Sequence, residues 1–104
     1  MKNDIYLVSE LSVAKIDRDD FAGAIEDLNK ALEDNPYYQW GYLYRGIAKM
    51  GMFNYKSALS DINRALSIDP EFEIACSTRD ILMAEIRKTE TGFRRLFKDT
   101  GKIN

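Results

Sequence analysis

The sequence predicts an all-α fold of stacked antiparallel helix hairpins, and three observations carry that prediction. First, sliding the chain by 34 residues lays Ala14 on Ala48, Lys15 on Lys49, Ala24 on Ala58, Asp27 on Asp61, Asn29 on Asn63, Ala31 on Ala65, Leu32 on Leu66 and Pro36 on Pro70. Similar residues also superpose: Tyr6 with Trp40, Val13 with Ile47, Phe21 with Tyr55, Ile25 with Leu59, Leu28 with Ile62 and Lys30 with Arg64. Second, each unit reads as two amphipathic helices, with apolar residues recurring at i, i+3, i+4 and i+7. Third, each unit closes on a proline, which disfavours helical geometry in the residue before it, here Asn35 and Asp69.

Within the second unit, Trp40, Leu43, Tyr44 and Ile47 form one stripe of the first helix, and Tyr42, Arg45, Gly46 and Lys49 form another. The two faces are not equivalent: one must pack on the hairpin partner and the other is available. The second helix carries a single apolar stripe of Tyr55, Ala58, Leu59, Ile62, Ala65 and Leu66. Ser12 and Gly46 remove bulk where the helices of a hairpin cross, and Ala24 and Ala58 do the same from the facing side. Asp20 and Asn54 precede Phe21 and Tyr55, where a short polar side chain can cap the free N–H groups of the second helix. The turn between the helices of the second unit, Gly51 to Asn54, contains Met52 and Phe53, which leaves two readings open: an early end to the helix, or an apolar turn.

The chain is predicted to be one domain, 1–104. The first unit covers about 5–38 and the second about 39–72; 73–104 form a partial repeat that serves as a cap. From Glu73 to Lys88 the pattern is again helical, with Ile74, Ile81, Leu82 and Ile86 periodic and Arg79, Asp80, Glu85, Arg87 and Lys88 outward. The last pair of a repeat stack needs such a polar outer side. Phe93, Leu96 and Phe97, at i, i+3 and i+4, suggest a short last helix folded back onto the stack.

Composition excludes several functions. With 45% apolar and 31% charged residues the chain is ordinary for a soluble globular domain, and no apolar run reaches membrane-spanning length. The start, MKNDIYLVSE, lacks the apolar core of a secretory signal, so a cytoplasmic location is expected. A single Cys76 and no His leave no metal ligand set, and neither a metal nor a cofactor is expected. Asp17, Asp19 and Asp20 begin like a calcium loop, but the central Gly is absent and Leu28 stands where the closing Glu is needed. Neighbouring carboxylates such as Glu26 and Asp27 diverge on a helix and cannot converge on one bond, so catalysis is not expected. Charge is uneven. Residues 1–35 carry four Lys or Arg against nine Asp or Glu, and residues 86–104 carry six against two. The basic end reads as a solvated cap rather than a nucleic-acid surface, because the rest of the domain is acidic.

A period of 34 with two helices per unit resembles the tetratricopeptide repeat family over about residues 5–72, on Ser12 and Gly46, Phe21 and Tyr55, Ala24 and Ala58, Ala31 and Ala65, and Pro36 and Pro70. The resemblance implies an α-α superhelix of about two full repeats plus a C-terminal capping helix, with the first helices lining a concave groove that holds peptides. It carries onto that groove Tyr6, Ser9, Glu10, Val13 and Asp17 from the first unit, Trp40, Leu43, Tyr44 and Ile47 from the second, and Ile74, Ser77, Thr78 and Ile81 from the third. Some members of the family clamp an acidic peptide C-terminus with Lys, Arg and Asn; those positions here are Ser9, Val13, Tyr44, Ile74 and Thr78, so that clamp is absent. The expected function is a non-catalytic protein-protein interaction module that receives a peptide or amphipathic helix in an apolar groove. The alternative is a self-assembly unit that forms a homo-oligomer; a membrane partner is not expected.

Overall fold

The computed structural model describes residues 5–103, with side chains described through residue 91. Five helices follow one another: α1 (Ile5–Asp17), α2 (Phe21–Asp34), α3 (Gln39–Gly51), α4 (Tyr55–Ile68) and α5 (Glu73–Ile103). Consecutive helices pack together, and α3 also touches α1 and α5, so the first helices of the units stand side by side. Among the described residues there is no strand.

The small residues bring the helices together. Gly46 and Ala58 are buried at the α3–α4 crossing. A Cβ on Gly46 would lie 2.7 Å from Ile62 Cδ1, closer than packed atoms come, and a tight 3.3 Å from the Ala58 carbonyl oxygen. Ser12 is likewise fully buried in α1, with its hydroxyl donating to the Val8 carbonyl at 2.8 Å. Around the crossing, Leu43, Ile62, Ala65, Leu66, Phe72, Ala75 and Leu82 form the core, while Ala24, Leu28, Ala31 and Leu32 bury the face of α2.

An ion triad sits beside this core. Asp61, with 7% of its side chain exposed, accepts from Arg45 Nε at 2.9 Å and Nη2 at 2.7 Å, and pairs with Lys49 Nζ at 2.9 Å. Arg45 also donates to Asn29 Oδ1 on α2 at 2.9 Å, tying the two hairpins together. The hydrogen bonds to Asp61 outweigh the burial of the guanidinium and raise its pKa above the usual arginine value.

Both hairpin turns have the same length and the same form. The Asn54 N–H reaches back to the Lys49 carbonyl and the Phe53 N–H to that of Met50; Asp20 to Lys15 and Asp19 to Ile16 repeat the pattern. This is the Schellman ending of a helix, whose third residue adopts a left-handed backbone, and Asp19 (φ 62°) and Phe53 (φ 61°) do so. The helix does not end early: α3 is no shorter than α1, and Met52 and Phe53 lie exposed in the turn. The glycine has another use. A Cβ on Gly51 would lie 2.4 Å from the Phe21 ring, so α2 can approach α3 only with glycine there. The left-handed position is therefore left to a bulky residue, and Phe53→Gly is expected to raise stability by about 0.5 to 1 kcal/mol, measured by chemical denaturation. An unchanged or lower midpoint would show that the Phe53 contact with the Tyr55 ring, 6.3 Å between centroids, outweighs the backbone strain.

Two further expectations are corrected. Asp20 caps α2 through its carboxylate, which accepts from the Gly23 N–H at 3.0 Å, but Asn54 makes no side-chain cap bond to α4. The last helix does not fold back: α5 is one unbroken helix of 31 residues. Gly92 is its only interruption before Gly101, and a helical Gly costs about 1 kcal/mol, too little to end a helix with no proline after it. The side chains of Phe93, Leu96 and Phe97, on which the folded-back reading rested, lie outside the described residues.

Candidate functional site

The side-by-side arrangement of α1 and α3 leaves a solvent-open recess of about 390 Å³ between them. From α1 it is lined by Tyr6, Ser9, Glu10 and Val13, which recur at helical spacing, and from the other side by Tyr38, just before α3, and by Trp40 and Tyr44 of α3. Trp40 and Tyr44 lie one turn apart, with ring centroids 5.7 Å from each other. The other edge of Trp40 meets the buried Phe72 at 4.8 Å, so the core holds the indole in place while one side remains on the recess.

Tyr38 is the lining residue that sequence reasoning missed. Ser9 donates its hydroxyl to the Ile5 carbonyl at 2.8 Å, which leaves its oxygen to accept from the Tyr38 hydroxyl and joins the two walls. Tyr38 precedes α3, in the loop after Pro36, where the helical spacing that picks out Trp40 and Tyr44 no longer applies. Burial, and then the neighbouring Tyr38, raise the pKa of Tyr44 above the usual phenol value, so its hydroxyl stays neutral in the recess at physiological pH.

Six of the expected groove residues therefore meet: Tyr6, Ser9, Glu10, Val13, Trp40 and Tyr44. Leu43 does not join them. It is 1% exposed and belongs to the core with Ile62, Phe72 and Leu82. At 100° per residue it lies about 60° round from Trp40 on the side of Gly46, which faces α4. Ile47 is partly buried against the same core. Ile74, Thr78 and Ile81 stand on α5, away from the recess: Ile74 and Ile81 are exposed, and the Thr78 hydroxyl is turned to the Ile74 carbonyl at 2.7 Å.

Among the described residues, no group of three His, Cys, Asp or Glu is placed to hold a metal, and no helix is long and apolar enough to cross a membrane. Cys76 is half-buried against the core.

No family model and no curated protein matches the chain. Solved structures do. The first tetratricopeptide domain of the human RPAP3 protein superposes with a TM-score of 0.78 at 24% identity, over 84% of this chain and 68% of that one. The chain has a tetratricopeptide fold. An Arabidopsis OM64 tetratricopeptide domain gives 0.71 at 25% identity, over 76% of this chain and 65% of that one. The first such domain of Spaghetti (RPAP3), bound to the HSP90 peptide SRMEEVD, gives 0.75 at 24%, over 81% and 67%. The chain thus spans about two thirds of the length of these tetratricopeptide structures.

Proposed function

We propose that the chain is a non-catalytic protein-interaction module whose α1–α3 recess receives an apolar side chain of a peptide or amphipathic helix. One observation carries this reading: four aromatic residues, Tyr6, Tyr38, Trp40 and Tyr44, gather around one open recess of a volume ordinary for binding sites. Aromatic residues dominate binding hot spots because they desolvate a large area with few torsions to fix. A solved neighbour of the same fold holds a peptide, which supports a protein partner.

The chemistry of the bound segment differs from that neighbour's. SRMEEVD is acidic, whereas this recess presents no cation and includes Glu10. The preferred segment is apolar, with neutral or basic flanks. Trp40 is the single tryptophan of the chain and lies in the recess, so its fluorescence reports occupancy directly. An amphipathic Leu- and Lys-rich helical peptide is expected to give a saturable change in Trp40 emission, and SRMEEVD none at the same concentrations. Saturable binding of SRMEEVD alone would overturn the reading.

A further inference from the structure

The far half of α5 is the second surface of this chain with work left to do. At the start of α4, Phe53 to Lys56 meet Ile86, Thr89 and Glu90 of α5, so the hairpin layer ends at that level. The helix nevertheless runs on to Ile103, and among the described residues α5 packs on α3 and α4. Residues 91–103 thus continue for about 20 Å past the start of α4, at about 1.5 Å per residue, along a molecule whose longest dimension is 65 Å.

The sequence of that projection is amphipathic. Phe93, Leu96 and Phe97 occupy i, i+3 and i+4 positions of the helix, and Arg94, Arg95, Lys98 and Lys102 stand among them. It is the kind of segment that the recess is proposed to receive: apolar anchors with basic flanks, to set against aromatic walls, Glu10 and the acidic first third of the chain. The helix is unbroken from Glu73 to Ile103, so residues 93–97 have no hinge that would return them to α1 of their own chain. A second copy has no such restriction.

We propose that residues 91–103 of one copy dock in the α1–α3 recess of a second copy, with Phe93 and Phe97 as anchors and the basic residues over Glu10 and Asp17. This names the occupant of the proposed binding recess and rests on that reading. Donor and acceptor surfaces differ, so the contact is head to tail: two copies can exchange helices reciprocally, or further copies can add to an open end.

The test is the mass of the full chain by light scattering over a range of concentrations. Wild type is expected to associate as concentration rises. Phe93→Ser with Phe97→Ser should weaken that association by about 30-fold or more, as loss of a hot-spot anchor does. Tyr44→Ala should act alike from the other side. Glu10→Lys is a second recess variant, at an exposed position outside the core, and should weaken association less. Mixing the tail variant with Tyr44→Ala should restore a one-to-one pair, because one intact tail and one intact recess remain. A constant monomer mass would overturn the proposal, as would association indifferent to either set of substitutions. The Trp40 titration with a foreign peptide on the tail variant separates the two readings: a response beside a monomeric wild type leaves the recess as a binding site and removes only the second copy.

Discussion

Asp61→Ala is expected to destabilise the protein by about 3 kcal/mol or more, lowering the melting temperature by roughly 10 °C or more. The carboxylate is almost fully buried and is the shared partner of two cations, Arg45 and Lys49, with 19% and 18% of their side chains exposed. Removing it leaves both cations close together in a poorly hydrated place with no counter-charge, which costs more than the lost attraction. Asp61→Asn, which can still accept from Arg45, should fall between Ala and wild type. The first hairpin supplies the control. The 34-residue step maps Lys49 and Asp61 onto Lys15 and Asp27, which pair at 2.7 Å, but both are more exposed and Leu11 stands in place of Arg45. Asp27→Ala should cost under about 1 kcal/mol, the range of solvent-accessible pairs. Equal losses for Asp27→Ala and Asp61→Ala in thermal melts would show that burial does not govern these pairs.

Much of this architecture was legible because the repeat states each position twice. Gly46 and Ser12, Ala58 and Ala24, and the two prolines constrain backbone approach and helix ends, and a side-chain size or a fixed φ is visible in a sequence. Arg45, Gly46 and Lys49 share one stripe in the sequence and all meet α4, although the sequence does not show that Asp61 gathers both cations. What escaped depends on neighbours in space. Leu43 shares its spacing with Trp40 and Tyr44, but α3 is packed by α4 and α5 on one side and by α1 and α2 on the other, so its apolar arc is wider than one groove stripe. Tyr38 lies outside a helix and has no periodicity to reveal it. The length of α5 is hard to see in the sequence because Gly92 and the polar run before it resemble a turn, and only the lack of a proline or a cap argues otherwise.

The second large effect is expected from Gly46→Leu, set against Tyr44→Ala two residues away on the same helix. Leu at position 46 must displace Ile62, which is fully buried, and then meets the Ala58 carbonyl, which cannot yield without moving α4. Overpacking of this kind costs about 3 kcal/mol, at the upper end of such substitutions because backbone is involved. Association should fail only as far as folding does. Tyr44 is half-buried on the recess wall, where its ring packs at a tilt on Trp40. Its loss should cost folding about 1 kcal/mol, within the ordinary range for single substitutions, and binding about 2 kcal/mol, as for a hot-spot aromatic. Thermal melts and Trp40 fluorescence titrations on the same two proteins give both quantities. Should Tyr44→Ala unfold the protein as severely as Gly46→Leu, the aromatic wall is part of the core, and the recess has no binding role to assign.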